Sequence, residues 1–141
     1  MRTLLLTICF CVLFVAAVGY GTERVCANDD TLLAAIALIE SDNDANSVGD
    51  CGAAVGMYQI HKIFVDDINR ILGRKEFSYN DRYSPARSRQ MIKIYWNHYA
   101  TVKRLGRKPT RQDKARIING GPNGHKKQST LKYWRKVKGA L

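Results

Sequence analysis

Hydrophobic residues recur at helical spacing along most of the chain, and turn residues separate the periodic segments. An apolar run over residues 32–39 ends at Glu40 and predicts a first helix over about residues 30–40. The candidates for its N-cap are Asn28, Asp29 and Asp30. The following segment, residues 42–52, is polar and rich in turn formers, which predicts a loop or a short irregular hairpin.

A second helix is predicted where apolar residues follow at steps of three and four, up to a stop at Gly73. The apolar positions are Met57, Ile60, Phe64, Ile68 and Ile71. A third helix begins with Ser84 as its cap and Pro85 at its first position. One face of this helix carries Met91, Tyr95 and Tyr99, and this face is expected to pack in the core.

Two more helices are predicted near the C-terminus. Thr110 and Asp113 have the spacing of a capping box and open a helix that ends at residues 119–122. Ser129 is predicted to cap the last helix. Because every periodic segment is helical, we expect a mainly α fold, a single domain of about five helices with a loop or hairpin after the first.

The N-terminal segment is predicted to be an export signal and not a part of this domain. Arg2 precedes a nearly continuous apolar run at residues 4–18, and small residues follow it, as in a secretory signal peptide. Cleavage is expected after Gly21, which leaves a domain over residues 22–141, or as late as Ala27. The apolar run is shorter than the roughly 20 residues that span a bilayer, so membrane anchoring by residues 4–18 is the less favoured alternative. The protein is expected to be extracellular, or periplasmic in a bacterium.

The cysteines do not predict a disulfide scaffold or a metal site. After cleavage at Gly21, Cys26 and Cys51 remain and are a candidate disulfide, whereas cleavage at Ala27 leaves Cys51 as a single thiol. The sequence has no Cys-x-x-Cys pair and no cluster of His and Cys with zinc spacing. We therefore expect no metal and no cofactor.

The positive charge is concentrated in the last third of the chain. Residues 28–100 hold ten acidic and eight basic side chains, whereas residues 101–141 hold thirteen basic side chains and one acid, Asp113. Such a distribution creates a directional positive field. The expected partners are anionic cell-wall polymers or a membrane surface. Nucleic acid is not expected, because no recognised nucleic-acid-binding motif is present.

Glu40 is the strongest candidate for chemistry. It follows an apolar helix, so it should lie at the edge of the core, where partial burial favours the protonated carboxyl. A carboxyl that keeps its proton near neutral pH can protonate a poor leaving group such as a glycosidic oxygen. Asp50 lies in a polar, glycine-rich loop and should stay ionised, ready to activate water or to stabilise positive charge.

Three segments carry a family resemblance: Glu40 with Ser41, residues 49–60, and residues 115–137. The second resembles the Gly-Asp-x-Gly…Gly-x-x-Gln-[IV] segment of goose-type lysozymes and soluble lytic transglycosylases. The third resembles invertebrate-type (destabilase) lysozymes, with Asn-Gly-Gly-Pro-Asn-Gly followed by Thr-Leu-x-Tyr-Trp. The chain differs from the invertebrate type in its few cysteines, and from transglycosylases in having Ile118 where they usually have tyrosine.

The resemblance implies a lysozyme-like domain that hydrolyses the β-1,4 bond between N-acetylmuramic acid and N-acetylglucosamine of peptidoglycan. It implies that Glu40 is the general acid and Asp50 the second catalytic carboxylate. The implied substrate contacts are Ser41, Tyr58, Gln59, His61, Asn119, Gly120 and Gly121. The expected protein is a secreted, bacteriolytic monomer. The alternatives are a lytic transglycosylase that releases 1,6-anhydro products and a non-catalytic cationic wall-binding protein.

Overall fold

Six helices and a small sheet make up the fold. The structure, a computed structural model, describes the backbone of residues 20–141 and the side chains of residues 29–141. The helices are α1 Tyr20–Ser41, α2 Lys62–Leu72, α3 Pro85–Tyr99, α4 Val102–Leu105, α5 Arg111–Gly120 and α6 Thr130–Gly139. The strands are β1 Val48–Gly49, β2 Ala54–Val55 and β3 Ile60–His61, and 3₁₀ turns cover Asp50–Gly52, Tyr79–Tyr83 and Gly124–Lys126. The mainly α, single-domain prediction is confirmed.

Helix α1 lies at the centre of the core, where Leu32, Leu33 and Ile36 are fully buried. Helices α5 and α6 pack against α1, and α3 packs against both α2 and α5. The other large side chains that are fully buried are Phe77, Met91, Ile92, Trp96, Ile68, Ile117, Val65 and Val137. The burial of these side chains removes apolar surface from water and is the main favourable term in folding.

The three strands form an antiparallel sheet in the order β1-β2-β3, with Val48 opposite Val55 and Ala54 opposite His61. The buried Arg82 connects this sheet to the helical part, because its Nη1 donates to the carbonyls of Ala53 (3.2 Å) and Ile60 (3.1 Å). Close packing at this junction requires Gly56, since a Cβ there would lie 2.0 Å from the carbonyl oxygen of Arg82.

Two predicted helix starts are wrong. Among the described residues, helix α1 covers Tyr20–Ser41, so Asn28, Asp29 and Asp30 lie inside the helix and do not cap it. Helix α2 begins at Lys62 and not near Met57. The predicted start was wrong because short apolar runs carry the same periodic signal in a strand edge as in a helix. The predicted stop of α2 is confirmed, with Gly73 in the left-handed conformation at φ 66°.

Two of the predicted helix caps in the C-terminal half are confirmed and one is wrong. The Ser84 hydroxyl accepts from the Arg87 amide at the start of α3, and Thr110 and Asp113 form the capping box of α5. Ser129 has helical φ and ψ and its side chain makes no capping hydrogen bond. Helix α4 was not predicted, because its four residues are too few to show a period. It is the sixth helix among the described residues.

Candidate active site

A cleft of about 940 Å³ runs between the sheet and the helices. The residues that line it are Glu40, Asp50, Ala54, Tyr58, Gln59, Ile60, His61, Ile63, Phe64, Asp66, Asp67, Arg70, Ile92, Tyr95, Ile118, Asn119, Gly121 and Pro122. Elements that are distant in the sequence thus meet at one surface: the end of α1, the sheet, α2, α3, the end of α5 and the segment after it. The mixture of aromatic, amide and carboxylate side chains suits a polar ligand with apolar faces.

Glu40 lies in the last turn of α1 and is half-buried at the cleft. Burial raises the pKa of its carboxyl above the ordinary value of 4.5, and the negative charge of Asp50 raises it further. The hydroxyl of Tyr133 opposes this rise in the pKa of Glu40, as do the positive charges of Lys136 and His61. The carboxyl of Glu40 thus keeps its proton to a higher pH than an exposed glutamate does, as a general acid requires.

Asp50 and His61 form a hydrogen-bonded pair at the cleft. Asp50 follows β1 in a 3₁₀ turn with φ 47°, and His61 ends β3. The antiparallel register of the sheet brings the two side chains together, with Asp50 Oδ2 3.0 Å from His61 Nε2. Both side chains are solvent-accessible, with 69% of Asp50 and 45% of His61 exposed. The result is a solvated carboxylate whose charge reaches the half-buried Glu40.

Gln59 and Tyr58 also line the cleft. Gln59 has φ 47°, and its side-chain amide donates to the carbonyls of Gly56 (2.9 Å) and Ser47 (3.3 Å). Those hydrogen bonds hold the amide against the sheet. The Tyr58 hydroxyl is fixed from behind because it accepts from Arg89 Nε at 2.9 Å. Both side chains are therefore positioned before any ligand binds.

Most of the predicted substrate contacts line the cleft, but Ser41 and Gly120 do not. Asn119, in the last turn of α5, and Gly121, directly after the helix, line the cleft. The Ser41 hydroxyl donates to the carbonyl of Met57 at 2.8 Å, and the Gly120 carbonyl accepts from Lys127 Nζ at 2.6 Å. These contacts tie neighbouring segments together, and a substrate-binding role for either residue stays a prediction.

Crystal structures of a lysozyme from Meretrix lusoria match this fold. One holds that lysozyme in complex with PliI from Aeromonas hydrophila, and the other holds it bound to an inhibitor. Each match has a TM-score of 0.64 and 28% sequence identity, and covers 77% of this chain and 87% of that chain. The chain has a lysozyme-like fold. No protein-family model and no curated protein matches the sequence.

Sequence reasoning missed two residues that shape this lysozyme-like site. Tyr133, on α6, acts on Glu40 as a hydrogen-bond donor, although the sequence motif that contains it pointed only to family resemblance. The buried Arg82 supports the sheet that carries Asp50 and His61. No sequence signal marks Arg82, because arginine is usually exposed and its partners here are backbone carbonyls distant in the sequence.

The remaining predictions concern metals, cysteines and the membrane. Among the described residues, no three His, Cys, Asp or Glu side chains are grouped so as to hold a metal ion. Cys51 is exposed and forms no disulfide with any residue whose side chain is described. The side chain of Cys26 and the apolar segment of residues 4–18 lie outside the described residues, so the disulfide, signal and anchor stay predictions. The helices described here include none that is long and apolar enough to cross a bilayer.

Proposed function

We propose that the chain is a secreted muramidase that hydrolyses the β-1,4 bond between N-acetylmuramic acid and N-acetylglucosamine of peptidoglycan. The lysozyme-like fold supports a glycoside hydrolase. The observation that carries the proposal is the pairing of two different carboxyls in one cleft. Glu40 is half-buried with a raised pKa, and Asp50 is exposed and hydrogen-bonded to His61. Most enzymes that cleave a glycosidic bond use two carboxyl groups in different environments.

In the proposed mechanism, Glu40 is the general acid. Its carboxyl donates a proton to the glycosidic oxygen as the bond to the sugar carbon breaks, which turns a poor leaving group into a neutral hydroxyl. Asp50 then acts on the opposite side of the developing oxocarbenium ion, either as a base for water or as a nucleophile. His61 holds the Asp50 carboxylate through the contact of 3.0 Å.

The proposed substrate contacts lie along the cleft on both sides of Glu40. Tyr58 and Gln59 line the side next to the sheet, and Asn119 and Gly121 line the side next to α5. Amides and backbone groups that are already positioned can hydrogen-bond to sugar hydroxyls and N-acetyl groups without a further loss of side-chain entropy. No metal or cofactor is needed for this reaction.

The basic C-terminal third is proposed to hold the protein on an anionic cell wall or membrane surface. Exposed cations follow one another along the 3₁₀ turn Gly124–Lys126 and α6: Lys126, Lys127, Lys132, Arg135, Lys136 and Lys138. The formal net charge of the chain is +11. Such a surface increases the local concentration of an anionic polymer and its rate of encounter with the cleft.

A peptidoglycan zymogram that compares wild type with Glu40→Gln tests the proposal. We expect a cleared band for the wild type and none for the variant. New reducing ends among the soluble products would support hydrolysis. Products with 1,6-anhydro ends would instead identify the protein as a lytic transglycosylase. Wall binding without any lysis by the wild type would leave the cationic wall-binding protein as the function.

A further inference from the structure

The hydroxyl of Tyr133 is buried and makes no hydrogen bond of good geometry with the described residues, yet it acts on the Glu40 carboxyl as a hydrogen-bond donor and lowers the pKa of that carboxyl. Most buried hydroxyls in proteins are paired, and an unpaired one costs free energy, so each such group requires an explanation. Burial raises the pKa of Tyr133, and the negative charge of Glu40 raises it further. The hydroxyl is therefore a neutral donor that faces the carboxyl of Glu40.

The position of Tyr133 is set by packing and not by the hydroxyl. Its ring packs against the core, and α6, which carries it, packs against α1 with Glu40 in its last turn. An oxygen held by the packing of its ring stays in place whether or not it has a partner. The O–H bond can still rotate about the ring, so the hydroxyl can form a hydrogen bond when an acceptor develops.

We propose that Tyr133 is a positioning residue whose hydroxyl donates a hydrogen bond to the carboxylate that forms when Glu40 gives up its proton. The inference rests on the proposed function of Glu40. In the step, the Glu40 proton moves to the glycosidic oxygen, the carbon–oxygen bond breaks, and its electron pair stays on the leaving oxygen. The Tyr133 hydroxyl keeps its own proton and shares it with the new carboxylate.

This contact would be stronger in the transition state than in the ground state. A protonated Glu40 is a weak acceptor and leaves the hydroxyl without a good partner, whereas the carboxylate is a strong one. Interactions that strengthen only as charge develops lower the barrier of the chemical step. The other titratable groups that act on Glu40 are Asp50, Lys136 and His61.

The test is the titration of Glu40 by carbon NMR of the side-chain carboxyl, in wild type and in Tyr133→Phe. We expect the titration midpoint to move upward by roughly 0.5 to 1 pH unit, the size of one ordinary hydrogen bond. Tyr79→Phe is the matched control, because the Tyr79 hydroxyl donates to Asp66 at 2.9 Å on an exposed surface. The control should leave the midpoint of Glu40 unchanged. A midpoint that Tyr133→Phe also leaves unchanged would overturn the proposal.

Activity and stability give a second measurement. In Tyr133→Phe the alkaline limb of the rate profile should move upward with the Glu40 midpoint, while the maximal rate falls by roughly three- to tenfold. At a pH below the Glu40 midpoint, where the carboxyl is protonated, the melting temperature should hold or rise, because the removed oxygen makes no well-formed hydrogen bond there. A purely structural role would instead lower the melting temperature and leave the pH profile in place.

Wild-type protein provides a measurement that does not depend on the folding of a variant. The ring-carbon signal next to the Tyr133 hydroxyl should change with pH at the midpoint of Glu40. A Tyr133 signal that does not change with pH around this midpoint would contradict the proposal. The titrations need no substrate, so their failure is distinct from that of the proposed function. If the wild-type protein cleaves no peptidoglycan, the proposed muramidase activity is refuted. If the titration midpoint of Glu40 does not change in Tyr133→Phe, the role of Tyr133 is refuted.

Discussion

Replacement of Glu40 by glutamine is the most direct test of the chemistry. The amide has nearly the shape of the carboxyl but no proton to donate to a glycosidic oxygen. Removal of a general acid costs at least about two orders of magnitude in rate. Each factor of ten corresponds to about 1.4 kcal/mol, so the variant should lose about 2.7 kcal/mol of transition-state stabilisation or more. The fold should not change, because Glu40 lies at the edge of the core and not within it.

The same substitution has a predictable effect on stability. Burial raises the pKa of Glu40 in the folded state, so the folded protein binds this proton more tightly than the unfolded chain does. The contribution of Glu40 to wild-type stability is therefore greatest below the ordinary value of 4.5 and is lost as the pH rises through the raised pKa. Glutamine avoids this loss, so Glu40→Gln should be at least as stable as wild type at neutral pH. The difference should shrink toward about pH 4.

The assay combines turbidity loss of a peptidoglycan suspension with thermal denaturation at several pH values. Asp42→Asn is the matched control, because Asp42 is an exposed carboxylate two residues from Glu40 with φ 55°, a conformation that asparagine accepts. Both substitutions raise the formal net charge of +11 by one, so a difference between them does not follow from formal charge. Activity of Glu40→Gln within a few-fold of wild type would refute the general-acid assignment.

Three further predictions concern other parts of the molecule. Asp50→Asn should remove most hydrolysis, measured as new reducing ends, whereas retained activity with 1,6-anhydro products would indicate a transglycosylase. Lysis of cells should fall with salt faster than stability does, because exposed charges are screened beyond about 8 Å at physiological salt. Neutralising several cations of α6 by glutamine should flatten this dependence, and a salt-independent rate would contradict it. Gly124→Ala should lower the free energy of unfolding, measured by chemical denaturation, by roughly 2 kcal/mol or more, because the new Cβ would lie 1.9 Å from the Arg116 carbonyl oxygen. Gly139→Ala is the control and should change stability little, because nothing lies within 4 Å of a Cβ at that position.

Much of the helical framework could be predicted from the sequence because its signals are local. Ser84 with Pro85 and the capping box of Thr110 with Asp113 mark helix starts, because a cap involves only residues within one turn. Gly73 marks a helix end for the same reason. The prediction failed where the local signal was ambiguous. Ile60 continues the period of α2, yet it is buried in the sheet as part of β3.

Most residues that the sequence proposed for the site line one cleft, but Ser41 and Gly120 do not, and the geometry of the site was not predicted. Glu40 was identified as a half-buried acid because an apolar helix precedes it, and its raised pKa agrees with that reasoning. The contact of Asp50 with His61 depends on the register of a sheet whose strands are two residues long. Such strands are too short to show an alternation of polar and apolar residues, and their pairing could not be predicted.

The sequence by itself determined the helical class, several helix boundaries and the chemical types available for catalysis. Periodicity, caps and residue identity are properties of neighbouring positions, so they can be read without a fold. Only the tertiary structure decided which groups meet. The packing of α6 on α1 brings Tyr133 to Glu40, and Arg82 fixes the sheet that carries Asp50. Burial, charge–charge distance and hydrogen bonding between distant segments set the pKa of an acid, and these quantities exist only after the chain has folded.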